Sequence, residues 1–366
     1  MSSITDITII GGGINGLLLA REFAKAERSV TVIEKHQTGQ ESSWAGGGIL
    51  LPIYPWRQAA AISTLIMQSL TLYPRLAREL ISATGIDPEC DACGLLITCN
   101  PDLADALAWC QRYDVAVTPG TAAQLHPFST HADNPLWLPN ISQARNPRLL
   151  KALKQDLLQR RVNIIESAEL LDVTIKQQRI QRIMTRAGNF AVQQLIMATG
   201  AWTGTLWQKL FPAGSLNPPE IYPVKGQMLL YGAPPGLLKF MVLDQDRYLI
   251  PRRDGSILAG STVENQGFDK TTSPAVKQDL NEFAVRLFPP LAQAPLLKHW
   301  AGVRPGTAQG IPYIDRHPEI ENLAINAGHF RNGLGMAPAS AQLLVDLMLH
   351  RPPSIAAEPY ALTAHH

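Results

Sequence analysis

The first fifty residues alternate between short, wholly apolar runs and glycine-rich or polar punctuation. Ile7-Thr8-Ile9-Ile10 is β-branched and apolar, the pattern of a strand buried on both faces of a parallel sheet. A helical pattern runs from Leu17 to Ala26, and a second β-rich run, Val30-Thr31-Val32-Ile33, ends in Glu34. Farther on, Asn146-Pro147 reads as an N-cap followed by proline at the first helical position, opening a helix with Leu149, Leu150, Leu153, Leu157 and Leu158. Val162 to Ile165 and Leu195 to Gly200 read as strands belonging with the N-terminal unit. Val224 to Tyr231, Tyr248 to Pro251 and Ser256 to Ser261 read instead as antiparallel strands of a separate sheet. Pro338 is expected to open a last amphipathic helix with Leu343, Leu344 and Leu347 on one face.

Composition narrows the classes of partner. With 46% apolar residues, 17% charged residues and a net charge of +2 over 366 residues, the chain suits two or three domains but offers no single-sign field to recruit nucleic acid or anionic lipid. The cysteines cluster at Cys90, Cys93, Cys99 and Cys110; a zinc site needs about four ligands, no second pair follows, and no metal is expected. The apolar N-terminal segment is broken by Asp6 and Gly11 to Gly13 and has neither a basic leader nor a cleavage site, so no signal peptide is expected. No apolar run approaches the ~18 residues that span a bilayer. The expected location is the cytoplasm, without stable membrane association.

Chemistry enters between the first two strands. Gly11-Gly12-Gly13-Ile14-Asn15-Gly16 follows the first strand at once. In such a turn Gly11 permits the bend, Gly13 lets backbone approach a pyrophosphate, and Gly16 lets the helix pack on the strand. The helix N-terminus then faces phosphate. Glu34, at the end of the second strand, can accept ribose hydroxyls, which argues against a 2'-phosphate. The next segment, Ser42-Ser43-Trp44-Ala45-Gly46-Gly47-Gly48, is a loop able to wrap closely around a flat ring or a phosphate.

Together with Pro223 to Gln227, Tyr248 to Arg252, Trp300 to Thr307 and Gly328 to Gly333, these strings resemble the D-amino-acid-oxidase-like family of FAD enzymes along almost the whole chain, and its glycine-oxidase branch most. The sequence departs from the family at Leu334-Gly335-Met336, where bulkier aliphatic residues are more usual. The resemblance implies an α/β protein with a Rossmann-like FAD-binding domain (residues 1–84, 142–217 and 299–366) and an antiparallel-sheet substrate domain (85–141 and 218–298). It implies non-covalent FAD held by Gly11, Gly13, Ile14, Asn15, Gly16, Glu34 and Lys35 and by Ser42, Ser43 and Ala45 to Gly48. Further contacts are implied at Leu170, Thr199, Gly200, Arg304, His329, Arg331, Asn332, Gly333 and Leu334.

Arg304 matches the family's carboxylate-binding arginine, Tyr248 its helper, and Arg331 a second active-site arginine; all three are expected to position substrate. Planar guanidinium suits a carboxylate. The implied reaction is oxidative deamination of glycine, sarcosine, D-alanine or D-proline by hydride transfer to flavin. Its products are an imine or oxo acid, ammonia and, with oxygen as acceptor, hydrogen peroxide, with a place in thiamine thiazole synthesis. Family members associate as dimers or tetramers, so self-association is expected. The alternatives are a D-amino acid dehydrogenase that passes electrons to a quinone, a tRNA-modifying FAD domain, disfavoured by near-neutral charge, and a non-catalytic dinucleotide sensor, which would have no reason to keep Arg304 and Tyr248 together.

Overall fold

The computed structural model describes residues 5–211 and 219–364, so the expected domain boundary at 217/218 lies outside the described residues. A six-stranded sheet carries, in spatial order, Tyr313–Arg316, Leu323–Ala327, Gln194–Met197, Ile7–Ile10, Val30–Ile33 and Asn163–Ile165. All its neighbours are parallel except the first pair. Ile7–Ile10 and Val30–Ile33 are buried at every position, as a sheet covered on both faces requires. The helix Ile14–Lys25 packs against the helices Asn146–Gln159 and Gly333–Met348, while the antiparallel meander Leu170–Lys176, Arg179–Thr185 and Gly188–Ala191 is inserted before the central strand returns at Gln194.

A second, eight-stranded sheet runs in the order Leu296–Gly306, Tyr222–Tyr231, Ile257–Gly260, Arg247–Pro251, Met241–Asp244, Leu95–Ile97, Leu136–Leu138 and Thr118–Pro119. It is antiparallel apart from the pairing of Met241–Asp244 with Leu95–Ile97. Leu296–Gly306 pairs with Tyr222–Tyr231 from end to end, Tyr231 opposite Leu296 and Tyr222 opposite Gly306. The expected boundary at residue 299 therefore falls inside one strand, and the ladder joins the segment through Gly306 to this second sheet.

Three boundaries differ from expectation. The first helix begins at Ile14, not Leu17, because extended Gly13 already turns the chain and the Ser43 hydroxyl accepts the Ile14 N–H at 2.9 Å. Asn146 is the first helical residue and not the cap; its buried side chain donates to the Ser43 carbonyl at 2.8 Å. The last helix starts at Gly333 and runs through Pro338. An interior proline leaves the carbonyl four residues back without its N–H partner, here Leu334, and the Tyr73 hydroxyl donates to that oxygen at 2.5 Å. Ser69 accepts the Ala339 N–H at 3.1 Å. Both repairs come from the long helix Ala60–Thr84, which lies against the last helix.

Candidate active site

One cavity joins the two sheets, with about 1840 Å³ of empty space including its open mouth. Its lining includes every residue expected to touch cofactor except Gly16. Gly16 acts one layer back: a Cβ there would lie 1.9 Å from the Gly11 carbonyl, so helix and strand meet only because it has none. Gly11 bends the chain at φ +112°, where L side chains are strained.

At the end expected to hold the dinucleotide the polar groups answer one another. The buried Glu34 carboxylate accepts the Gly12 N–H at 2.7 Å and the His36 N–H at 2.9 Å. Lys35 sits 3.3 Å above the ring of Trp202, and burial pushes its pKa down. Thr199 and Thr203 share a hydroxyl hydrogen bond of 2.8 Å, and Gly200 and Leu170 complete this wall.

The loop after Ser42 is a helical turn, Ser42–Ala45, followed by three glycines. It is held from outside by its carbonyls. Asn146 takes Ser43, the Trp300 indole takes Ala45 at 3.0 Å, Arg252 takes Gly47 at 2.7 Å, and the Ala144 N–H takes Gly48 at 2.8 Å. A backbone tethered by its carbonyls lies close to the cavity without side chains in the way, which suits a planar ligand.

The other end carries positive charge with little to answer it. The Arg304 guanidinium donates to the carbonyls of Lys225 (3.3 Å) and Thr262 (3.1 Å) and to the Ser261 hydroxyl (2.8 Å). Burial pushes its pKa down, while Tyr248 favours the charged form. Tyr248 is buried, its hydroxyl 4.0 Å from the Met228 sulfur. Arg331 also lines the cavity, and one of its terminal nitrogens is buried without a partner. An unpaired buried donor is costly unless a ligand supplies the acceptor.

His329 is fully enclosed. One ring nitrogen meets Ser340 at 2.7 Å and the other the Asn15 amide at 3.2 Å, and burial lowers its pKa to about 3. It is therefore a neutral brace, with the Asn15 Oδ1 left unpartnered. Asn332, Gly333 and Leu334 line the cavity where the last helix begins, and no side chain caps that terminus; its free N–H groups carry partial positive charge. None of the four cysteines lines the cavity, and among the described residues no His, Cys, Asp and Glu cluster could hold a metal.

Sequence reasoning missed several lining or supporting residues. In the sequence Asn146 reads as a cap, Met228 and Ser261 lie inside runs that read only as strands, and Gly226 lies in a string that carries the family resemblance without a role of its own. A Cβ on Gly226 would lie 2.3 Å from both terminal nitrogens of Arg304, so this glycine exists for the arginine's passage. Its one sequence signal is a glycine in the middle of an apolar strand, which marks a close approach.

The family model described as FAD dependent oxidoreductase (DAO) matches residues 6–347. Glycine oxidase of Pseudomonas putida is 40% identical over 364 residues, 97% of this chain and 98% of the relative. The crystal structure of glycine oxidase from Geobacillus kaustophilus superposes with a TM-score of 0.92 at 28% identity, covering 100% of each chain. The bifunctional protein ThiO/ThiG of Synechocystis is 29% identical and aligns with 95% of this chain over 52% of its own length.

Proposed function

Since the chain belongs to the FAD dependent oxidoreductase family and is an FAD-dependent amino acid oxidase, we propose that it oxidises glycine and similarly small amino acids, such as sarcosine, D-alanine and D-proline, with oxygen as acceptor. The observation that carries this reading is the paired cations Arg304 and Arg331 beside Tyr248, in the same cavity as the glycine cradle. The cradle glycines, Glu34, Lys35, the Ser42 to Gly48 loop and the Gly333 helix end would hold FAD. When bound there, FAD would supply the hydride acceptor and the means of passing the electron pair to oxygen.

The chain's own contribution is placement. Arg304 takes the substrate carboxylate as a bidentate anchor, Tyr248 adds a hydroxyl to the same group, and Arg331 supplies the second cation. Fixing one end of so small a substrate fixes the direction of its α-carbon, and orientation can account for several kcal/mol of a barrier. The two cations also disfavour an ammonium beside them, so the amine reacts in its neutral form. His329 cannot act as its base, because both ring nitrogens are engaged. The amine must therefore lose its proton to water. The products are hydrogen peroxide and an imine, which hydrolyses to oxo acid and ammonia from glycine or D-alanine and to oxo acid and methylamine from sarcosine, while D-proline gives a cyclic imine that keeps its nitrogen.

The likeness to a ThiO/ThiG protein supports a place in thiamine thiazole synthesis. Purified protein should be yellow, release its flavin on denaturation, and form peroxide in air with glycine or sarcosine. A yellow protein that these amino acids bleach, but that reoxidises only with a quinone or dye, would instead be a dehydrogenase. Protein that cannot take up FAD would end the reading.

A further inference from the structure

We propose that Ser261 is a positioning residue that decides how Arg304 meets the substrate carboxylate; this rests on the reading that Arg304 binds that carboxylate. A guanidinium has five N–H groups. The Lys225 and Thr262 carbonyls take both of those on Nη1, and the Ser261 hydroxyl takes one on Nη2. Five less these three leaves two on the side facing Tyr248, whose hydroxyl also hydrogen-bonds the guanidinium, so an incoming carboxylate meets the arginine and that hydroxyl together. These three partners are neutral and orient the group, while Tyr248 and, behind them, the Glu264 carboxylate favour its charged form.

The shelf under the guanidinium is itself braced. Ser261 is 3% exposed and Gln227 fully enclosed. The Gln227 N–H donates to the Thr262 hydroxyl at 2.9 Å, and its amide donates to both Glu264 oxygens at 3.0 and 3.1 Å. Thr262 in turn donates to Glu264. Lys225 and Glu264 exchange both backbone bonds at 2.9 Å, and the Gln227 side-chain Oε1 accepts the Ser273 N–H at 3.1 Å. Gly226 closes the opposite side. Of the three acceptors, two are backbone carbonyls in a fixed ladder. Ser261 is the one side chain in the set, and so the one whose loss would free Nη2 to turn away from the substrate.

The test uses FAD-loaded protein in four forms: parent, Ser261→Ala, Ser261→Thr and Arg304→Ala. Acetate, which has the carboxylate but no amine, is titrated against the flavin's visible spectrum, and KM and kcat are measured with glycine. Ser261→Ala should weaken acetate binding and raise KM by about three- to tenfold, the effect of one hydrogen bond, with kcat within about twofold and flavin content and Tm near the parent's. Ser261→Thr, which keeps the hydroxyl, should restore both. The proposal is overturned if Ser261→Ala binds acetate like the parent while Arg304→Ala has lost it, or if Ser261→Ala changes only flavin content or Tm. Acetate binding unchanged in Arg304→Ala would instead overturn the carboxylate reading of Arg304 and this proposal with it.

Discussion

The two ends of the cavity solve opposite electrostatic problems. At the dinucleotide end the charges are settled within the chain: Glu34 accepts two backbone N–H groups, and Lys35 rests on the Trp202 ring. At the amino acid end Arg304 is held by two carbonyls and a hydroxyl, and Arg331 keeps a buried nitrogen without a partner. A site complete in itself binds by shape and backbone; one left with uncompensated cations waits for an anion. On the proposed function the first end takes the dinucleotide and the second the amino acid, and each can be probed separately.

The largest effect should come from breaking the dinucleotide end. In Gly11→Ala the added Cβ would meet the Ala198 carbonyl at 2.3 Å at a positive φ, so protein emerging from gel filtration should carry no flavin absorbance and no activity. Next, Arg304→Ala should keep its flavin but lose about 10²- to 10³-fold in kcat/KM for glycine, as removal of a desolvated charge partner does. Smaller again, Tyr248→Phe should raise KM about three- to tenfold, visible in the same steady-state assay.

The last effect, one on stability and not on turnover, concerns the brace between the ends. Buried His329 has its folded pKa lowered to about 3, against an unfolded value of about 6.5. Below about pH 6.5 the unfolded chain binds a proton that the folded chain refuses, so this contribution is complete above that pH and is lost as pH falls towards 3. Between pH 7 and pH 5 the parent should lose about 1–2 kcal/mol more stability than His329→Gln, measured by urea denaturation at each pH.

The same contrast explains what was legible in the sequence. The dinucleotide end is local: strand, three glycines, helix, strand and Glu34 follow within thirty residues of one another, and each residue type is dictated by backbone geometry. The amino acid end brings Tyr248 and Arg304 together by sheet pairing and adds Arg331 from the helical turn Phe330–Asn332, which no spacing reveals; only the family resemblance named them. Ser261 and Gly226 escaped because their roles depend on the Arg304 guanidinium passing between two strands. Pro338 misled for a related reason. A proline marks a helix start only when its carbonyl partner four residues back would otherwise go unpaired, and Tyr73, far away in sequence, supplies that partner. The helix Ala60–Thr84 shows a plain 3.6-residue stripe through Ile62, Leu65, Ile66, Ser69, Tyr73, Leu76 and Leu80, but its service to the last helix could not be read from the stripe.

The most direct test of the central claim is to add glycine, and separately methylamine, to the FAD-loaded parent and to Arg304→Ala without oxygen, and to follow the loss of visible flavin absorbance. Methylamine offers the same amine without the carboxylate. The account predicts rapid bleaching of the parent by glycine, little by methylamine, and a preference for glycine that collapses in Arg304→Ala. Equal bleaching by both amines in the parent, or an undiminished glycine preference in the variant, would contradict it.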